Sequence, residues 1–277
     1  MKVIFFEIEL IKRFGVVVGG ISTALSLILI FIELPSDSCK RLMLAGFFVL
    51  SLLILYVVLW VKANQLKDVS IRVNRTKVSI REGNIFEEQD SLKLIAFNEY
   101  FDTKVDDVII SASSLNGIYL NNHLDCSVEE LDEKIRTDNR MKKLIAGVDD
   151  RTGSGKQVRY PLGTIYKNGD YLLLAFSKFD ENNEAYLDSK GLWDSLVNMW
   201  REIGVLYAGK SVSIPLLGSG ITRKRGMNVS EQELLELIIL SLRVSGLQLN
   251  WNVKINIVIF SKNAEEINFY ALKRLSD

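Results

Sequence analysis

The pattern of apolar and polar positions divides the chain into two unequal parts. Residues 14–32 and 42–61 run without a charged side chain, and neither run presents a continuous polar face. Each supplies the roughly 20 apolar residues that a helix needs to cross about 30 Å of hydrocarbon. A surface helix would keep a polar stripe at helical spacing, and these do not. Glu33 to Arg41 join the runs, with Pro35 among them. The pattern predicts a transmembrane α-helical hairpin with helices at about 14–33 and 42–61. The hairpin makes residues 1–65 a two-helix anchor and leaves 66–277 as a soluble domain. A cleaved signal peptide fits poorly, because the first run exceeds the usual apolar stretch of about 7–15 residues and a second full run follows at once.

Beyond Lys62 the periods shorten. Val69, Ile71 and Val73 alternate with polar residues, and Val78 and Ile80 resume the alternation after Asn74-Arg75-Thr76. That predicts a hairpin of strands. Leu92 to Phe97 reads as a short apolar strand, and Asp107 to Ile110 as another short apolar run. Ser127 with Glu130 forms a capping-box pattern that opens a helix running to about Lys143, and Ser230 with Glu233 opens a second over Leu234 to Val244. Tyr171 to Phe176, Lys210 to Leu216 and Val253 to Phe260 read as strands. Leu192 to Tyr207 and Ala264 to Leu275 read as helices, the former with Leu192, Leu196, Met199, Trp200 and Ile203 on one face. Strands that alternate with helices through the second half predict an α/β domain with a mixed or parallel sheet covered on both faces.

Composition adds few constraints. The formal net charge is +0, so no basic excess points to nucleic acid. The two cysteines, Cys39 and Cys126, fall in the hairpin turn and the soluble domain, which is no disulfide framework and fits a reducing compartment. Basic residues are nearly balanced across the hairpin: Lys12 and Arg13 before it, Lys40 and Arg41 in the turn, Lys62 and Lys67 after it. The orientation adopted, with both ends in the cytoplasm at the inner membrane, therefore rests on the character of the domain more than on charge.

Candidate chemistry is sparse. No catalytic constellation is visible. His123 is the single histidine and reads as a solvated loop residue; its spacing to Cys126 lacks the second ligand pair a zinc site requires. Gly153-Ser-Gly155-Lys156 is no phosphate loop, because Asp150 stands where its first glycine belongs and Gln157 where Ser or Thr belongs. The stretch from Ile214 to Thr222 is a better candidate. An apolar strand enters a turn containing Gly218 and Gly220, and a helix follows from Ser230. Such a turn lies at the carboxyl end of a strand, where ligands of α/β sheets collect, and glycine lets backbone N–H groups close on a phosphate.

Four segments recur in the order and spacing of a known family: Glu82-Gly-Asn-Ile-Phe86, Ile95 to Asp102, Ser113-Ser-Leu-Asn-Gly117 and Pro215 to Ile221. They resemble a macro domain, a binder of ADP-ribose and related nucleotides, over about residues 69–275. Asn-Glu-Tyr-Phe-Asp102 with Ser-Leu-Asn-Gly117 is similar to the macro domain of Thoeris antiphage effectors, whose membrane-anchored form carries two helices ahead of it. The resemblance implies a three-layer α/β/α sandwich with a mixed sheet. It implies that Asn84 and Ile85 stand at the adenine, with Asn84 in place of the usual Asp. It implies that Asn98 lies near the distal ribose, that Ser114, Leu115, Asn116 and Gly117 form the first phosphate loop, and that Leu217, Gly218, Ser219, Gly220 and Ile221 form the second. The missing glycine run in the first loop favours a sensor over a hydrolase, with no catalytic residue, no cofactor and no metal. The implied ligand is an ADP-ribose-type signal, histidine-ADP-ribose by preference, made by a TIR-domain partner. The implied outcome is homo-oligomerisation and membrane damage, with Gly15, Gly19, Ser22 and Ser26 as a small-residue helix contact. A membrane-tethered ADP-ribosyl hydrolase is the alternative.

Overall fold

The computed structural model describes residues 3–32, 34–151, 155–180, 184–220 and 223–277. The two apolar runs are helices, α1 (Ile8–Leu29) and α2 (Ser38–Asn64). Both extend past the uncharged stretches, because Glu9, Lys12 and Arg13 add a polar turn to α1, and Asp37 caps α2 by accepting from the Cys39 N–H. At about 1.5 Å per residue each exceeds the hydrocarbon thickness. Their central apolar side chains are not covered by protein: Val16 is 77% exposed and Phe47 72%. The hydroxyls of Thr23 and Ser26 return to the Gly19 and Ser22 carbonyls, so they leave no unmet donor inside an apolar medium.

The base of the helices has its own small core. Val3, Leu10, Ala63 and Tyr270 are buried together against Tyr56, Leu59, Trp60 and Leu66. Trp60 Nε1 donates to the Val3 carbonyl at 2.9 Å, and the Val3 N–H donates to Asn64 Oδ1 at 2.9 Å. Contacts group residues 266–274 with residues 1–69 as one compact unit, and 70–265 with 275–277 as the other.

The larger unit is built on β1 (Asp68–Val73), β2 (Thr76–Glu82), β3 (Ser91–Asn98), α3 (Leu115–Asn122), α4 (Val128–Thr137), α5 (Asn139–Lys143), β4 (Gly147–Val148), β5 (Val158–Arg159), β6 (Ile165–Asn168), β7 (Tyr171–Phe179), β8 (Ala185–Leu187), α6 (Ser189–Leu206), β9 (Ser211–Pro215), β10 (Arg223–Lys224), α7 (Glu231–Ser245), β11 (Lys254–Ile259) and α8 (Ser261–Ala264). Among the described residues the main sheet runs β1-β2-β11-β9-β3-β7-β8-β10, with β6 also on β7. The pairs β2–β11, β11–β9, β9–β3 and β3–β7 are parallel; β7 pairs antiparallel with β6 and β8. The sheet is mixed, as expected.

Alternation along the central strands feeds two cores. Ile95, Phe97, Leu173 and Ala175 pack with Tyr119 and Leu120 of α3, Leu131 and Ile135 of α4 and Met141 of α5. The opposite face carries α6 and α7, joined where the buried Trp200 Nε1 donates to Ser241 Oγ at 2.8 Å. These layers form the three-layer α/β/α arrangement.

Several local expectations fail for identifiable reasons. The helix expected from Ser127 to about Lys143 breaks at Asp138, which leaves helical geometry (ψ 125°) and accepts from the Arg140 and Met141 N–H groups, capping α5. The apolar run Asp107–Ile110, for which no element was expected, forms a turn: Asp106 accepts from the Val108 and Ile109 N–H groups and Asp107 takes φ +58°, with a single Val105–Ile110 bridge. The helix expected over Ala264–Leu275 is instead the short α8 and a 3-10 turn at Ala271–Leu275. The capping box at Ser230 and Glu233 forms in full, whereas at Ser127 only the bond from the Glu130 N–H is present.

Candidate functional site

A cavity of about 750 Å³ opens at the carboxyl ends of β3, β7, β9 and β11. That is where a parallel sheet presents its loops to a ligand. Of the residues singled out in the sequence, Asn84, Ile85, Asn98, Ser114, Leu115, Asn116, Leu217, Gly218, Ser219 and Gly220 border it. Ile221 lies outside the described residues. Gly117 does not border the cavity. Its place is structural: a Cβ there would meet the Ser111 carbonyl oxygen at 2.2 Å, so only glycine lets α3 approach the preceding loop.

The wall nearest β3 starts with a bulge. Phe97 pairs with Ala175 but Asn98 with Ser177, so the register slips by one and Phe176 turns to the cavity. Asn98 is 3% exposed and largely committed within the protein. Its Oδ1 accepts from the Tyr100 N–H at 3.0 Å and the Asp102 N–H at 3.2 Å, while Nδ2 donates to Asp102 Oδ2 at 2.9 Å. One N–H of the carboxamide is left for a ligand. Asp102 is fixed in turn by Arg151 Nη1 at 2.8 Å and the Lys156 N–H at 2.7 Å. The Arg151 guanidinium lies 4.0 Å from the Tyr100 ring centroid. Burial and a hydrogen bond to Asp149 push the Tyr100 hydroxyl up to about 12. Lys156 does not serve a phosphate loop. Its Nζ donates to Asp132 and the Phe101 carbonyl, and burial lowers its pKa.

Two turns face this wall. Ser114 caps α3, with Oγ accepting from the Gly117 N–H at 3.0 Å and donating to the Ser111 carbonyl at 2.6 Å. The N–H groups of Leu115 and Asn116 belong to the first turn of α3, where no helical acceptor exists, and a helix N-terminus of this kind favours an anion. On the β9 side Gly218 adopts φ +83°, the left-handed conformation that glycine takes without strain, and Ser219 Oγ donates to the Leu216 carbonyl at 2.7 Å. Gly220 needs no such freedom: a Cβ there would meet nothing within 4 Å.

The lining is also aromatic. Asn84 folds back as a cap, its Oδ1 accepting from the Phe86 N–H at 3.1 Å. Phe86 and His123 stack with centroids 4.0 Å apart at 5°, and both border the cavity. His123 is thus not the solvated loop residue its sequence context suggested. Phe260, 65% exposed at the end of β11, also borders it. Sequence reasoning missed Phe86, His123, Phe176 and Phe260 because an isolated aromatic carries no spacing signal. The one available clue for Phe260 was its place directly after an apolar strand.

Comparisons with known proteins bear on the family of the chain. Residues 78–260 match the family model described as Thoeris protein ThsA, macro domain. A Thoeris protein ThsA from Bacillus amyloliquefaciens (strain Y2) is 38% identical over 257 residues, which cover 91% of this chain and 85% of that protein. A macrodomain mutant from Oceanobacillus iheyensis aligns at 13% identity and TM-score 0.49, covering 76% of this chain and 98% of its own. The same macrodomain with MES bound aligns at 16% identity and TM-score 0.44, covering 75% and 96%.

Proposed function

The chain belongs to the family of Thoeris protein ThsA, an antiphage defence effector with a macro domain, and from that premise we propose that it is a membrane-anchored sensor of an ADP-ribose-derived signal. The observation that carries the proposal is the convergence of two unlike turns on one cleft. The α3 N-terminus with its amide donors, the Gly218–Gly220 turn, Asn98 and the rings of Phe86, His123 and Phe260 all border this one cavity. A dinucleotide-like ligand carries the groups that such a lining suits: a diphosphate, sugars and a flat base. A volume of about 750 Å³ suits one such ligand, within the usual pocket range of roughly 300–1,000 Å³.

The signal comes from a TIR-domain partner acting on NAD, and histidine-ADP-ribose is the preferred form. Binding on the cytoplasmic side drives self-association, and clustered α1–α2 hairpins damage the inner membrane, halting growth. The ligand can do this only by binding one assembly state more tightly than another. The cleft then works as a receptor with no chemical step.

Thermal denaturation of the full chain in nanodiscs tests this, with NAD, ADP-ribose, cyclic forms and amino-acid conjugates as additives. A ligand at 100 times its Kd stabilises the folded state by about 2.7 kcal/mol. No shift with any member of the series removes the sensor reading. Mass spectrometry of the same mixtures separates sensing from turnover: release of ADP-ribose from an ADP-ribosylated peptide would assign the chain to the tethered hydrolases instead.

A further inference from the structure

The stretch between β2 and β3 carries three residues that border the cavity, Asn84, Ile85 and Phe86. It contains one turn of 3-10 helix, Ile85–Glu87, in which Ile85 is the one buried side chain. A helix this short has little stability of its own, so its place is set by what holds its ends. The near end is held by backbone: the Gly83 N–H donates to the Ile259 carbonyl of β11 at 2.9 Å. The far end is held by the side chain of Glu88, which is 8% exposed. Its carboxylate accepts from Arg81 Nη2 of β2, from Ser213 Oγ of β9 at 3.2 Å and from Asn256 Nδ2 of β11 at 3.3 Å. Ser213 Oγ is also hydrogen-bonded to Ser91 Oγ of β3 at 2.8 Å.

A buried carboxylate needs a counter-charge, and Arg81 supplies it. The bonds from the buried Ser213 and Asn256 do something further: they fix where on the sheet the carboxylate lies. Glu88 also closes the turn, its N–H donating to the Ile85 carbonyl at 3.3 Å. A shift of Glu88 is thus carried to Phe86, two residues earlier, whose ring stacks on His123 at 4.0 Å. Resting on the reading of the cleft as an ADP-ribose-type site, we propose that Glu88 is a positioning residue: it straps the Asn84–Phe86 turn to the sheet so that this turn meets the base of the ligand in a fixed place. Glu88 acts through the turn and does not itself border the cavity. Its side-chain bonds go to Arg81, Ser213 and Asn256, and neither to α3 nor to the Gly218–Gly220 turn, so the strap bears on the base and not on the diphosphate.

Glu88→Ala removes the strap. Glu88→Gln keeps part of it, because its amide oxygen can still accept from Ser213 and Asn256, and it carries the test should the alanine variant not fold. Ser241→Ala is the control: it deletes the bond from Trp200 between α6 and α7, lowering stability without touching the strap. Calorimetry on the full, untagged chain in nanodiscs gives the Kd for ADP-ribose and for inorganic pyrophosphate. Isotope-labelled histidine gives a spectroscopic readout, since His123 is the single histidine and its ring signals are shifted by the Phe86 stack. In Glu88→Ala the Kd for ADP-ribose should rise about tenfold, with pyrophosphate binding unchanged and the His123 signals displaced. Glu88→Gln should fall between it and wild type, and Ser241→Ala should match wild type in all three readouts. Wild-type ADP-ribose affinity in a folded Glu88→Ala chain overturns the proposal, as do His123 signals that stay in place. Equal weakening of both ligands, or the same loss of affinity in Ser241→Ala, assigns Glu88 to stability alone and overturns it too. Failure of the wild-type chain to bind ADP-ribose instead removes the site reading on which the proposal stands.

Discussion

Asn98 and Asp102 are joined through both ends of the asparagine carboxamide: Nδ2 donates to Asp102 Oδ2 at 2.9 Å, and Oδ1 accepts the Asp102 N–H at 3.2 Å. The Tyr100 N–H also holds Oδ1, and the Nδ2 end of this cavity-lining asparagine is held by an aspartate 2% exposed, which itself pairs with Arg151 at 2.8 Å. Asp102→Ala removes the carboxylate from a buried pair, a change that typically costs about 3–5 kcal/mol. It also removes the acceptor of Asn98 Nδ2, leaving the carboxamide held only through Oδ1 by the N–H groups of residues 100 and 102. Urea denaturation should show a stability loss of that order, and ligand affinity should fall even where the variant is folded. Asn98→Ala should lose affinity with a smaller stability cost. A folded Asp102→Ala chain with unaltered stability and affinity would show that this network does not hold the site.

The two glycines of the β9 turn should behave differently. Gly218 has φ +83° and its added Cβ would lie 3.4 Å from Leu234, so Gly218→Ala should cost about 1–2 kcal/mol. At Gly220 a Cβ meets nothing within 4 Å, so Gly220→Ala should stay within about 0.5 kcal/mol of wild type. Gly220→Glu should also fold, yet lose ligand binding by placing a carboxylate where the diphosphate is proposed. Circular dichroism and calorimetry on the three variants check this, and undiminished affinity in folded Gly220→Glu would remove the turn from the site.

These contrasts mark what could be read from the sequence and what could not. The apolar runs, the Asn74-Arg75 hairpin turn, the strand Leu92–Phe97 and the capping box at Ser230 were visible because each is a local pattern with a local cause. The β9 turn was visible because strand-then-glycine order survives in sequence, whereas the turn at Ser114–Gly117 was legible only through its resemblance to a macro domain. The break at Asp138 was hidden: a helix-compatible stretch reads the same until a side chain turns back to cap a new helix. The role of Gly117 was hidden for another reason, since the demand for glycine comes from the Ser111 carbonyl and not from its own backbone angle. The Phe86–His123 stack depends on two segments that only the fold brings together.

A pH dependence follows from Glu99, which is 7% exposed and follows Asn98 directly. Burial raises its pKa, against the charge of Arg159 and the Phe179 N–H. The folded state therefore keeps this proton to higher pH than the unfolded chain. The contribution of Glu99 is complete below the ordinary value of 4.5 and is lost as pH rises from there through the folded value. Glu99→Gln cannot ionise, and its amide oxygen still accepts from Phe179. The stability difference between the variant and wild type should thus be flat below about pH 4.5 and grow in favour of Gln above it. Denaturation midpoints from pH 4 to 8 check the sign. A difference that moves the other way would mean that Arg159 outweighs burial.

The anchor makes the last prediction. Ile21 lies in the uncharged part of α1 and is 39% exposed; Leu53 lies in that of α2 and is 60% exposed. Among the described residues none buries the central windows of these helices, and on the proposed reading their apolar surface is covered by hydrocarbon. Wild-type protein should sediment with membranes and resist both alkaline carbonate and high salt. Arginine near the middle of a spanning helix costs about 2.5–3.5 kcal/mol on insertion scales, so Ile21→Arg and Leu53→Arg should each shift protein toward the carbonate-soluble fraction, and together more so. Val205→Arg is the control, because Val205 is 74% exposed on α6 of the α/β unit and its replacement should leave sedimentation unchanged. Should salt alone release the wild-type chain, α1 and α2 would be surface-bound and the proposed membrane damage would lose its physical basis. Retention by carbonate, lost with Arg at either helix centre but not at Val205, is the pattern that a spanning hairpin requires.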